Sequence, residues 1–327
     1  MPETGPKQRP SWPDAVAPVE AEVEQLTPDQ MLDRVLDTVY TDSNELVQAM
    51  AFVGGELPRL GLSHLVPFNT AYLSLSCDVR DTVKKGAAVA GADDFDSKFQ
   101  YPETVEKTMG IFAELYFKQV RAHLNGKSHL VDDAWQPLFY GAAGRNASPG
   151  IQFLLGMNAH IVYDLPQALA KSGVTESYYR DYTKTVGLLI NEVAEYLGPA
   201  YVPGTDRMRG YLIGKTVDRI AVWREEAWQA AQSLMGNIQA ADEVADTAKL
   251  LPARSVPWEA TSHRLSARDV MRERRKAALR NARLIGLAGR LALVGVSSVG
   301  GRPPVQVAEI TELAIRRAAE VVERQAA

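Results

Sequence analysis

Apolar residues recur in this chain at the three- and four-residue spacing of an α-helix, segment after segment, and no stretch alternates with period two. A stripe of that spacing has to be buried against another stripe, so the pattern dictates helix packed on helix. The first stripe is Met31, Val35, Leu36 and Val39, and Thr27-Pro28-Asp29-Gln30 marks its start. Thr27 supplies an N-cap oxygen, Pro28 the fixed φ of the first helical position, and Gln30 the side chain that reaches back to complete a capping box. A turn at Thr41–Asn44 separates it from Leu46, Met50 and Val53, which run to Gly54-Gly55.

Pro67-Phe68 opens a helix through Tyr72, Leu75 and Val79, and Pro102-Glu103 opens a long one through Met109, Phe112, Leu115, Tyr116 and Val120. Pro149 begins a helix carrying Ile151, Leu154, Leu155, His160 and Ile161. Another spans Ser177 to Leu197, and a last one runs from Met208 or Gly210 to about Thr247. Connections are short and there is no tandem repeat. The expected fold class is therefore all-α, a multi-helix bundle-like domain with a C-terminal helical appendage. Residues 1–25 are polar and proline-rich and read as a disordered arm. Residues 26–249 form the core domain. Residues 250–327 combine a linker (250–263, with Pro252, Pro257 and Trp258) with two or three basic helices over 266–324.

Composition narrows the function classes. A net charge of −4 over 327 residues argues against a nucleic-acid-binding protein. The single cysteine, Cys77, rules out an intramolecular disulfide and a cysteine zinc site, and its apolar surroundings (Leu73 to Cys77) read as a buried small residue. The N-terminal stretch has no apolar run of the kind a signal peptide carries, which leads to an expectation of a cytoplasmic protein. The apolar run Leu284–Gly300 contains Arg290 and several glycines and is short for a membrane span. No P-loop, no G-x-S-x-G and no G-x-G-x-x-G after a strand is present.

One segment concentrates chemistry: Asn158-Ala159-His160-Ile161-Val162-Tyr163-Asp164-Leu165. His160 and Asp164 stand four apart on a helix that also carries Phe153, Met157 and Ile161, so they share a face turned toward apolar surroundings. Burying an imidazole and a carboxylate is costly unless they bond each other, a metal or a ligand. An aspartate can orient an imidazole and raise its basicity, which suits acid/base work. The alternative is a histidine crosslinking helices within a satisfied polar network. Asn158 and Tyr163 share the His160 face poorly, so at most one of them is expected to join.

The segment Gly156–Pro166 is similar to the signature of an actinobacterial helical family of unknown function, Asn-Ala-His-Ile-x-x-Asp-Leu. Phe68-Asn69-x-Ala71-Tyr72-Leu73, Trp135-x-Pro137-Leu138-Phe139 and Arg224-x-x-Ala227-Trp228 match it too, in order. The resemblance covers roughly residues 30–240 and leaves out the C-terminal part. It implies a helical domain organised around the motif and carries no assigned activity.

Four functions are compatible with these residues. The leading one is a small-molecule-transforming enzyme of cyclase, isomerase or hydrolase type, acting on an apolar substrate between helices, in specialised or lipid metabolism. His160 would be its acid or base, Asp164 the orienter, Asn158 or Tyr163 a hydrogen-bond donor, and Tyr72 and Arg224 would close the pocket. A metal-dependent enzyme would instead use His160 and Asp164 as ligands of non-haem iron, zinc or another divalent ion, joined by Glu114, Glu192 or Glu195. Asp93-Asp94-Phe95-Asp96 resembles a magnesium-diphosphate cluster of terpene cyclases, but the second motif of such enzymes is missing and a solvated turn is the expected reading. A non-enzymatic lipid- or partner-binding protein would use the basic segment 264–290 for peripheral membrane or protein contact, with docking of that helix onto the main body as the alternative.

Overall fold

The computed structural model describes residues 27–88, 98–142, 147–196, 206–249 and 258–297. The N-terminal arm, the Asp93–Asp96 loop, the Pro252/Pro257 stretch and everything past residue 297 lie outside the described residues. Within them the chain is helical throughout, with no strand. The capping box at Thr27 forms as its residues require: Gln30 N–H donates to Thr27 Oγ1, and Thr27 N–H donates to Gln30 Oε1. It starts α1 (Pro28–Asp37). Asp42 caps α2 (Ser43–Glu56), then α3 (Val66–Ala88) and α4 (Pro102–Leu124) follow. Asp181, fully buried, accepts from the N–H groups of Gln100 and Tyr101 at 2.9 and 2.6 Å and so pins the start of α4.

The centre of the molecule is one continuous helical rod. It consists of α5 (Pro149–Ala159), a widened turn His160–Asp164, and α6 (Leu165–Ser172), which ends at Gly173 in the left-handed conformation. Its sequence is apolar around most of its circumference, and such a helix is stable only when other helices enclose it. They do: α3 and α4 lie on one side, α8 (Asp206–Lys249) and α9 (Trp258–Ser297) on the other, with α7 (Tyr179–Tyr196) packed on α3 and α8.

Two close approaches let α3 sit between its neighbours. A Cβ on Gly54 would stand 2.5 Å from Asn69 Nδ2, and one on Gly156 2.5 Å from the Phe68 ring. Asn69 uses the first approach to donate to the Met50 carbonyl at 3.1 Å.

The C-terminal part differs from the sequence reading. Trp258, read as linker, opens α9, and residues 258–297 form one helix; the remainder of the expected 266–324 helices lies outside the described residues. Ala278 and Ala282 of α9 are buried in the core, because small residues let its backbone close onto α5. Replacing Gly156 with alanine is expected to destabilise by about 1–3 kcal/mol through overpacking against Phe68. Gly236→Ala, in open space on α8, should stabilise by about 0.4–1 kcal/mol. Thermal unfolding of the two variants checks both signs.

Candidate functional site

The motif is not an ordinary helical turn. The Leu165 N–H reaches back five residues to the His160 carbonyl, a π turn, and Pro166 follows it directly. A proline inside a helix lacks an N–H and crowds the carbonyl four residues earlier, so widening the preceding turn relieves the crowding. The carbonyl that Pro166 leaves unserved is that of Val162, and Arg274 of α9 donates Nε–H to it at 2.9 Å. Single π turns inside α-helices recur at functional sites.

This turn places His160 Nδ1 2.9 Å from Asp164 Oδ2, with both side chains about 2 % or less exposed. Trp135 Nε1–H donates to the same Oδ2 at 2.9 Å. Around the imidazole stands an aromatic box. Phe112 lies flat against it (centroids 3.4 Å apart, planes 7° from parallel), Tyr72 and Phe68 meet it edge-on at 4.8 and 5.3 Å, and Trp135 and Tyr116 complete the enclosure. Among the described residues His160 Nε2, Asp164 Oδ1 and the Tyr116 hydroxyl have no hydrogen-bond partner. A buried polar atom left so costs about 1–3 kcal/mol.

Burial pushes the Asp164 carboxyl well above its usual range, opposed by the Trp135 N–H, and it holds the imidazole well below its usual value. Both shifts favour the uncharged forms, with the shared proton on the Nδ1···Oδ2 bond held by Asp164 and Nε2 carrying a hydrogen. Removing one proton leaves a carboxylate accepting from Nδ1–H and a lone pair on Nε2. The pair can thus present Nε2 as a donor or as an acceptor.

Next to the box, across Tyr72 and Phe112, lies a cavity of about 50 Å³ between α3, α4, α6, α7 and α8, which also has Leu165, Tyr178, Tyr182 and Arg224 in its walls. That is room for a few water molecules, well short of the roughly 300–1,000 Å³ of a drug-sized site. Tyr72 and Arg224, expected to close a pocket, both line it; His160 does not.

Other expected site residues are elsewhere. Asn158 points away from His160 and donates Nδ2–H to the Ala278 carbonyl at 2.8 Å, clamping α9 to α5. Tyr163 joins Asp132 and Arg275. Both positions follow from the helical rotation that separates them from residue 160. Among the described residues no group of three His, Cys, Asp or Glu side chains could hold a metal ion, so Glu114 does not converge with His160 and Asp164. Glu192 and Glu195 belong to α7, with side chains outside what is described.

Of the basic segment, Arg274 and Arg275 turn inward onto the main body, while Arg268, Arg272, Lys276, Arg280 and Arg283 are exposed. No described helix is long and apolar enough to cross a membrane. Sequence reasoning did not single out Trp135 or Phe112 as site residues. Trp135 was detectable only as part of the Trp-x-Pro-Leu-Phe motif, and Phe112 as one more apolar position on a helix.

A second histidine borders this region. His64, buried beneath Phe139, has its pKa pushed down to about 4, chiefly by burial and then by His123. Unfolded His64 gains a proton below about pH 6.5 while the folded form stays neutral to about pH 4. The stability His64 contributes is therefore complete above pH 6.5 and is lost as the pH falls through that window. Melting temperatures measured from pH 7 to 4 should fall, and fall less steeply in His64→Gln.

The family model described as "Family of unknown function (DUF5995)" matches residues 43–255. Those residues include the π turn, Trp135, the aromatic box and Arg224, and exclude α9. No curated protein and no solved structure matches the chain. With most of its length covered by that model, the chain belongs to the DUF5995 family of unknown function.

Proposed function

We propose that this protein is a small-molecule-transforming enzyme of cyclase, isomerase or hydrolase type, with His160 and Asp164 as its acid/base pair and the inter-helical cavity as the entry for a small, largely apolar substrate. The observation that carries the reading is the unequal treatment of the two imidazole nitrogens. Nδ1 is fixed by Asp164, itself held by Trp135, whereas Nε2 has no partner among the described residues. A purely structural histidine gains nothing from an unserved nitrogen; an acid or base requires one.

In the reaction, Nε2 acts first as the acid and later takes up a proton as the base. The neutral pair gives its Nε2 proton to a substrate atom as the Asp164 proton passes to Nδ1, and when Nε2 then takes a proton from a second atom the Nδ1 proton returns to Asp164, leaving the pair as it began. Tyr72 and Phe112, shared by the box and the cavity, are the side chains that must rotate for substrate to meet Nε2.

A metal-dependent version would need a third ligand, and none converges among the described residues. A second reading, binding without chemistry, draws support from Phe112, whose ring covers the imidazole face.

The variants separate these readings. Asp164→Asn can still accept from Trp135 Nε1–H and from Nδ1–H, so stability should change by less than about 1 kcal/mol, while proton transfer drops by about 10²–10⁴-fold. Asp164→Ala and His160→Ala each orphan a buried partner and should cost about 1–3 kcal/mol. Wild type, His160→Gln and Asp164→Asn are incubated with a fractionated small-molecule extract and followed by mass spectrometry. Conversion of a component by wild type alone, with both variants folded, is the expected result. Identical profiles from all three folded proteins would sink the enzymatic reading in favour of binding.

A further inference from the structure

The cavity holds a feature that the acid/base pair does not use. Arg224 of α8 is 5 % exposed. Its Nη2 donates to the Tyr182 carbonyl at 3.2 Å and to Thr185 Oγ1 at 2.7 Å, and the guanidinium lies 4.5 Å from the centroid of the Tyr182 ring. Its Nε–H, inside the protein, has no acceptor among the described residues. Among the described residues no carboxylate pairs with it. Asp181, near it on α7, spends both oxygens on the N–H groups of Gln100 and Tyr101, and the neighbouring Glu225 accepts from Tyr179.

A buried cation without a counter-ion is costly, and a ring face and two neutral acceptors offset only part of that cost. The fold nonetheless holds it firmly. The Tyr182 hydroxyl donates to the Arg224 carbonyl, and Trp228, one turn on, packs on Tyr179 and Tyr182. The rest of the wall is apolar (Leu75, Val79, Val105, Met109, Leu169) apart from a few hydroxyls, among them that of Tyr178.

We propose that this cavity binds the carboxylate of a short-chain organic acid, with Arg224 as its counter-ion and the acyl end against Tyr72 and Phe112. A single guanidinium with an unpaired Nε–H matches one carboxylate. A phosphate, with more charge and more acceptor oxygens, would lack donors here. The volume, about 50 Å³, suits a headgroup and a few carbons. The assignment names the ligand class for the cavity that the catalytic reading takes as its substrate site, and rests on that reading only for what happens to the ligand afterwards.

Thermal unfolding of the full chain with sodium acetate, butyrate and hexanoate tests it, beside sodium chloride, sodium phosphate and neutral butyramide at matched ionic strength. At least one carboxylate should raise the melting temperature by a few degrees in a saturable manner, with no such rise from chloride, phosphate or butyramide. Arg224→Gln should abolish the shift. If that variant fails to fold, Val79→Leu, which keeps the cation and shrinks the cavity, should weaken it. Asp164→Asn should retain the full shift, so loss of catalysis and loss of binding are told apart. No carboxylate shift in folded wild type, an equal shift with butyramide, a shift with phosphate alone, or a carboxylate shift undiminished in folded Arg224→Gln and Val79→Leu would each overturn the proposal.

Discussion

A helix enclosed on every side can carry a histidine and an aspartate only if they answer each other, and the His160–Asp164 contact is the condition on which the centre of this fold rests. The Trp135 N–H anchors the pair from a different segment, so the contact also ties the Trp135–Phe139 stretch to the central rod. Around it Phe68, Tyr72, Phe112 and Tyr116 supply an aromatic wall, and the price is three polar atoms without partners among the described residues. In such surroundings charge is expensive, which is why both groups shift toward their neutral forms and why one proton governs what Nε2 can do.

Much of the architecture was legible in the sequence because it depends on local chemistry. The Thr27 capping box, the proline starts at 102 and 149 and most of the apolar stripes are decided within a turn or two of chain and recur in the structure; Val39, counted into the first stripe, instead lies past the end of α1 and is exposed. The His160–Asp164 contact was legible too, since i,i+4 spacing nearly fixes it. Legibility ended where partners are distant in sequence. That Asn158 serves α9 rather than His160 depends on Ala278, 120 residues away. That α9 lies against α5 and α8 likewise depends on partners far away in the sequence. That Arg224 lacks a counter-ion among the described residues could not be read from a helix rich in glutamates, because Glu225 and Glu226 turn to Tyr179 and Arg274 instead.

The widely separated motifs acquire one explanation in three dimensions. Phe68 and Tyr72 form the box, Asn69 holds α2 to α3, Trp135 holds Asp164, and Arg224 with Trp228 shapes the wall behind Tyr72 and Phe112. Segments from four parts of the chain thus converge within a few side chains of the π turn. Trp135, His160 and Asp164 meet in one apolar interior, and Arg224 stands across Tyr72 and Phe112 from them.

The covering of the π turn by α9 has a consequence for what counts as one unit of this protein. Arg274 answers the Val162 carbonyl that Pro166 leaves open, and the Ala278 carbonyl answers Asn158. Both recipients lie within residues 43–255, and both donors of help lie outside. In this chain the family-matched stretch therefore carries sockets whose plugs are encoded beyond its border. It is α9 that fills them, so the working unit of this protein is longer than the stretch its family model covers.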